Sequence, residues 1–237
     1  MIDPARWVFR WGAALRHRRF FHPDGVLATG SLERDAPADE GLPVPSAPVV
    51  ARISKATGTP GRLPDAVGLA LQIPEPQHDP SCWDILLVSA GSGVIGRTLG
   101  VRPAVSWSGL RMTTLMPLQY REQLWWLRAR LTTRVDGYGL ALSSIRKQLD
   151  GGHIRFEIDQ ACGTGEFRPL AYLVLHRHEE TDGAGHDVSF DPIVHTAPGV
   201  QLRPGWLAEL RARAYRGSRE GRAGARTTRS AAGPRDG

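Results

Sequence analysis

The chain has 237 residues, 41% of them hydrophobic, and a formal net charge of +6. That is enough for one sizeable globular domain, and no apolar run is long enough to cross a bilayer as a helix. The positive excess is almost entirely arginine, with Lys55 and Lys147 the only lysines; no zinc-finger spacing, recognition-helix pair or aromatic-glycine RNA signature accompanies it, so no specific nucleic-acid partner is expected.

The opening segment is broken by arginines every few residues and lacks a secretory apolar core, so a cytoplasmic protein is expected. Within it Trp7, Val8, Trp11 and Leu15 recur at helical spacing opposite Arg6, Arg10 and Arg18. Residues 1–20 therefore read as an amphipathic arm that packs on the body or a partner subunit, or touches a membrane surface. Strands follow at 25–34 (GVLATGSLER), 47–54 (APVVARIS), 67–74 (VGLALQIP) and 82–90 (CWDILLVSA), separated by Pro- and Gly-rich loops. Consecutive strands with no intervening helix predict an antiparallel meander or barrel, not a parallel sheet. The stretch from Thr113 to Val135 contains Trp125 and Trp126 and is either strand or a helix leading into one. The segment 138–152 carries a helical stripe stopped by Gly151 and Gly152. A hairpin of 153–163 with 167–180 comes next, and a final helix runs over 203–220 from Pro204. Residues 21–220 are expected to form one barrel domain, and 221–237, basic and without apolar period, reads as a disordered tail.

Cys82 and Cys162 stand far apart and form no metal-ligand spacing; reduced, buried thiols are expected. His176, His178 and His186 fall near Glu179, Glu180, Asp182 and Asp187, which could suggest a metal-dependent hydrolase of the phosphodiesterase type, but a solvated acidic loop is the better explanation. No nucleophile elbow or phosphate-binding glycine loop is present.

Four short motifs recur in a meaningful order: Arg19-Phe20-Phe21-His22-Pro23-Asp24-Gly25, Val49-Val50-Ala51-Arg52-Ile53-Ser54, Trp83-Asp84-Ile85-Leu86, and Arg211-Ala212-Arg213-Ala214-Tyr215. This series resembles the haem catalases and their shorter relatives, best over 19–90 and 190–220. The resemblance implies an α+β, β-dominated fold: a catalase-like antiparallel β-barrel of eight-stranded type with flanking helices, as a homodimer. It also implies a haem cofactor and a peroxide or organic hydroperoxide substrate. His22 would be the acid–base group, suited by an unperturbed pKa near neutrality, and Ser54 would fix its ring. Arg19 and Arg52 would pair with the haem propionates. Tyr215 would be the proximal iron ligand, with Arg211 one turn earlier favouring its phenolate form.

The pattern departs from that of catalases in two places. Leu87-Val88-Ser89 lacks the asparagine that positions peroxide, and Arg216-Gly217-Ser218 replaces the Asp-Thr and His-Arg residues that follow the tyrosine. The sequence is also much shorter than that of a catalase, from which a less enclosed haem admitting bulkier, lipid-like hydroperoxides is expected. The rival outcome is a haem-free barrel that binds a lipid-like ligand without catalysis.

Overall fold

The structure, a computed structural model, describes residues 25–55, 58–74, 82–89, 102–178, 190–192 and 194–203. Contacts divide the chain into a unit of residues 21–203 and a unit of its two ends, 1–20 with 204–237; every described residue belongs to the first. Ten strands occur among them: β1 Gly25–Arg34, β2 Ala47–Lys55, β3 Val67–Pro74, β4 Cys82–Ser89, β5 Arg111–Thr114, β6 Leu118–Tyr120, β7 Gln123–Leu131, β8 Ile154–Cys162, β9 Arg168–Arg177 and β10 Gln201–Leu202. One helix, α1 Leu142–Asp150, lies between β7 and β8.

β1 to β5 pair in sequence, β5 pairs with β7, β7 with β8, β8 with β9, and β9 returns to β1. Eight antiparallel strands thus close on themselves, which leaves the ring no free edge. β6 continues the path of β5 along β7, and β10 adds to β6. The four N-terminal strands fall where apolar alternation and flanking turns put them. The ambiguous 113–135 stretch is strand throughout its regular parts, and the helix ends at Gly151 as expected. The expected final helix lies outside the described residues, as do residues 1–20 and 221–237.

Alternation along each strand fills the lumen. Val26, Ala28 and Leu32 of β1 join Val49, Ala51 and Ile53 of β2, Leu69, Leu71 and Ile73 of β3, and Trp83, Ile85 and Leu87 of β4 in one buried cluster with β7, β8 and β9. Ile145 and Leu149 of α1 join the same core. β3 and β4 are nearly all buried on both faces, which explains their almost continuous apolar sequence: neither face of this wall can afford exposed polar groups. The 35–46 loop is organised by Arg34, whose guanidinium donates to the carbonyls of Ala36, Pro37, Glu40, Leu42 and Val44. Five planar donors are what guanidinium geometry provides and lysine lacks. Among the described residues no helix is long and apolar enough to span a membrane.

Candidate functional site

The face of β1–β5 that points away from the lumen carries the residues of interest. Strand register lays out one transverse row: Gly25, Ser54, Gly68, Val88 and Thr113. Arg128 and Asp159 extend it across β7 and β8. Side chains in such a row stand beside one another on the same face. The row is small at Gly25 and Gly68, and Ser54, Gly68, Val88 and Thr113 are all buried.

Two hydroxyls of this row, Ser54 Oγ and Thr113 Oγ1, are buried without a hydrogen-bond partner. An unpaired buried hydroxyl costs roughly 1–3 kcal/mol, so two on one face ask for an explanation. Arg52 belongs to the neighbouring row with Leu27, Ala70 and Leu86. Its side chain lies across Gly25, where an added Cβ would meet Nε at 2.4 Å. Glycine at 25 therefore makes room for the arginine to lie along the face beside Ser54.

The structure thus brings together Ser54, Arg52 and the start of β1. His22, Arg19, Arg211 and Tyr215 lie outside the described residues. The departure at 87–89 acquires a location: Val88 takes the apolar place in the row between Gly68 and Thr113, while Leu87 and Ser89 turn to the lumen side. Ser89 Oγ there donates to Arg102 O and accepts from Val67 N.

A second polar cluster lies on the same face farther along β4. Asp84 has a nearly fully buried side chain, 1% exposed, and every carboxylate oxygen is engaged. Oδ1 accepts from Gln72 Nε2 at 3.1 Å; Oδ2 accepts from the Asp191 amide at 2.7 Å and meets His195 Nδ1 at 2.8 Å. The Asp84 amide in turn donates to His195 O at 3.0 Å. Trp83, its neighbour, is a core residue. Sequence reasoning singled out Asp84 as part of the Trp83-Asp84 motif, and its carboxylate holds the Asp191 amide. It missed His195, whose place beside Asp84 across 111 positions of chain leaves no local signal. It also expected buried thiols, whereas Cys162 is exposed and Cys82 half-buried, neither in a disulfide. Cys162 is the last residue of β8, next to the β8–β9 turn, and is exposed there because the strand ends.

The cluster of three histidines and four carboxylates weighed as a metal site is only partly described. His176 is exposed on β9, opposite Thr29, with its ring 6.1 Å from that of His153. His178 follows the end of β9; its Nδ1 is buried without a partner. His186, Glu179, Glu180, Asp182 and Asp187 lie outside the described residues.

The arginine excess on the β7–β9 wall is locally balanced. Arg128 and Asp159 are register partners and pair at 2.7 Å; Arg130 and Glu157 do likewise. Arg128 also covers the Phe167 ring and Arg155 the Tyr172 ring. These are cross-strand pairs of a solvated face.

No protein-family model matches the chain, and no curated protein matches it in sequence. Among solved structures it is similar to the crystal structure of a fungal catalase, with a TM-score of 0.57 at 12% identity over 89% of this chain. The chain spans 61% of the length of that catalase. Identity this low shows the fold: a β-dominated, closed catalase-like barrel.

The described residues fit part of a haem site. A buried hydroxyl with no partner among the described residues, a row kept low by two glycines, and an arginine laid along the same face suit a flat anionic group.

Proposed function

We propose that this chain is a catalase-related haem protein with peroxidase-like activity towards hydrogen peroxide or organic and lipid hydroperoxides. The observation that carries the reading is Ser54 Oγ: buried, unpartnered, and in register with Gly25, three residues after His22. The distant likeness to a fungal catalase supports it at the level of the barrel.

Haem, if bound, would supply redox-active iron for peroxide chemistry. The chain's own groups do the rest. His22 accepts the proton from one peroxide oxygen and returns it to the other, which an imidazole can do near neutral pH. Ser54 hydrogen-bonds the ring and holds it in one orientation, so its hydroxyl gains the partner it otherwise lacks. Arg52 and Arg19 pair with the propionates through planar bidentate contacts. Tyr215 would hold the iron as the phenolate, and Arg211, four residues earlier, would oppose its protonation. With no asparagine in the Leu87-Val88-Ser89 stretch where the catalase pattern carries a peroxide-positioning one, hydrogen peroxide disproportionation is disfavoured, and larger apolar hydroperoxides are the better substrates.

The full-length chain, expressed with haem supplementation, should show a Soret band that shifts or weakens in Tyr215→Phe. Ser54→Ala should keep the band but lower peroxidase turnover by on the order of 10-fold, the usual cost of losing an orienting partner. Absence of any Soret band after supplementation sinks the reading. Recovery of an extracted fatty acid with no porphyrin points instead to a ligand-binding barrel without catalysis.

A further inference from the structure

We propose that Cys82, Asp84 and His195 form a binding site for a zinc-class divalent cation on the outer face of the barrel, separate from the Ser54 face position and independent of haem. Cys82 opens β4 and Asp84 follows two residues later, so strand periodicity turns both to the same side. His195 reaches them from the segment that precedes β10. That segment is docked by main-chain contacts that fix the imidazole's approach. The Asp191 amide donates to Asp84 Oδ2, the Asp84 amide to His195 O, and the His195 amide to Asp191 O at 2.9 Å. One thiol sulfur, one carboxylate oxygen and one imidazole nitrogen then lie within 4.8 Å of one another.

The donor set selects the ion. Thiolate and imidazole are poor ligands for calcium or magnesium, which take oxygen, while a mixed sulfur, nitrogen and oxygen set suits zinc or cobalt(II). Tetrahedral zinc with ligands at about 2.0–2.3 Å places its donor atoms roughly 3.5 Å apart. A small side-chain closure from within 4.8 Å therefore suffices, with the 2.8 Å His195 Nδ1–Asp84 Oδ2 contact opening slightly as the metal enters. Two features prepare that closure. Gln72 Nε2 and the Asp191 amide already orient the Asp84 carboxylate, the kind of outer support that ligating carboxylates have. His195, with its side chain 34% exposed, and half-buried Cys82 leave one side open to solvent. Three protein ligands with a fourth position open is the arrangement of a zinc that holds water or an incoming ligand, in contrast to a closed structural site.

Binding is an exchange of cation for protons. The Cys82 S–H proton leaves as the thiolate binds, and any proton shared between His195 Nδ1 and Asp84 Oδ2 at 2.8 Å is displaced with it. The metal takes over the charge balance, no redox change occurs, and affinity rises with pH. The sequence offered no hint, because the ligands fit no Cys-x-x-Cys or His-Glu-x-x-His spacing; only the barrel register and the 190–203 crossing assemble them.

The test is titration of the chelator-treated, haem-free full chain with cobalt(II), read by the thiolate-to-cobalt charge-transfer band. Saturation at one equivalent is expected, with loss of the band on adding zinc. Cys82→Ser should abolish the band, and His195→Gln should weaken binding by at least the about 10–100-fold that even outer partners cost. Cys162→Ser, which changes the exposed thiol elsewhere, should leave it intact. Far-UV circular dichroism of the metal-free variants checks that the barrel is retained. No band in the wild type overturns the site, as does a band that survives Cys82→Ser or disappears with Cys162→Ser. Since the readout involves no porphyrin, a missing Soret band leaves this result untouched.

Discussion

Lys55 is the buried lysine of the described chain, at the last position of β2. Its ammonium donates to the carbonyls of Gly61 and Leu63, and burial pushes its pKa below the ordinary 10.5 while nearby Asp65 opposes the shift. In the unfolded chain the amine keeps its proton up to 10.5. Between the folded pKa and that value the unfolded state therefore binds more protons, and stability rises with pH. Below the folded pKa the cost of burying the charge is present in full. Lys55→Met removes this contribution, so the unfolding free energy of the wild type should gain on the variant from about pH 7 to about pH 10. Urea melts of both proteins at the two pH values measure it; a difference that stays constant or shrinks contradicts the burial. At this scale much was legible. Arg52 and Ser54, singled out by their motif, share one face of β2 as strand periodicity dictates, and Asp84, in the motif with Trp83, has a buried, hydrogen-bonded carboxylate. His195 was not legible, because its role exists only through contacts made across more than a hundred residues.

At the scale of elements, sequence and structure agree wherever a strand is long, alternating and bounded by turn residues, as in β1 to β4 and the β8–β9 hairpin. They part at β5, β6 and β10, which run four, three and two residues. Periodicity needs more residues than that to register. The β6–β7 turn shows a second cause. Tyr120 pairs directly with Gln123, leaving Arg121 and Glu122 as a two-residue loop with φ of 48° and 63°. Both occupy the left-handed region that such hairpins demand and usually fill with Asn-Gly. Here side chains that disfavour the conformation sit in it, and the hairpin could not be read from its turn. The mismatch is partly offset: Arg121 stacks on Tyr120 and donates to Asp39 O at 3.2 Å. Glu122→Gly should relieve the second position and stabilise the protein by about 1 kcal/mol, the usual cost of the left-handed region for a residue with a Cβ. A denaturant midpoint that falls instead of rising would show that the glutamate side chain contributes more than the strain costs.

For the whole molecule, what could not be read locally is closure. Eight strands become a barrel only because β9, near the end of the described chain, pairs with β1 at its beginning, as Gly30 with Leu175 and Leu32 with Leu173. Lumen-facing apolar residues on both strands make that register favourable, yet no window of sequence contains it. Gly30 marks how tightly the seam is drawn. A Cβ there would stand 1.9 Å from Val174 O and 2.9 Å from its carbonyl carbon, both main-chain atoms that cannot rotate aside. Alanine at 30 must therefore push β1 away from β9, weakening a ladder on which closure depends and opening gaps in the core beneath Ala28 and Leu32. The expected loss is roughly 2–4 kcal/mol, the range for overpacking compounded by lost packing. It should appear as a lower urea midpoint and as faster amide hydrogen exchange in β1 and β9, with β4 and β5 on the opposite wall affected least. If the exchange rates rise evenly around the ring, the barrel opens as one unit and the seam is no weaker than the rest. If the midpoint does not move, the β1–β9 approach is looser than described, and the face bearing Gly25, Arg52 and Ser54 loses the rigid backing that its proposed chemistry requires.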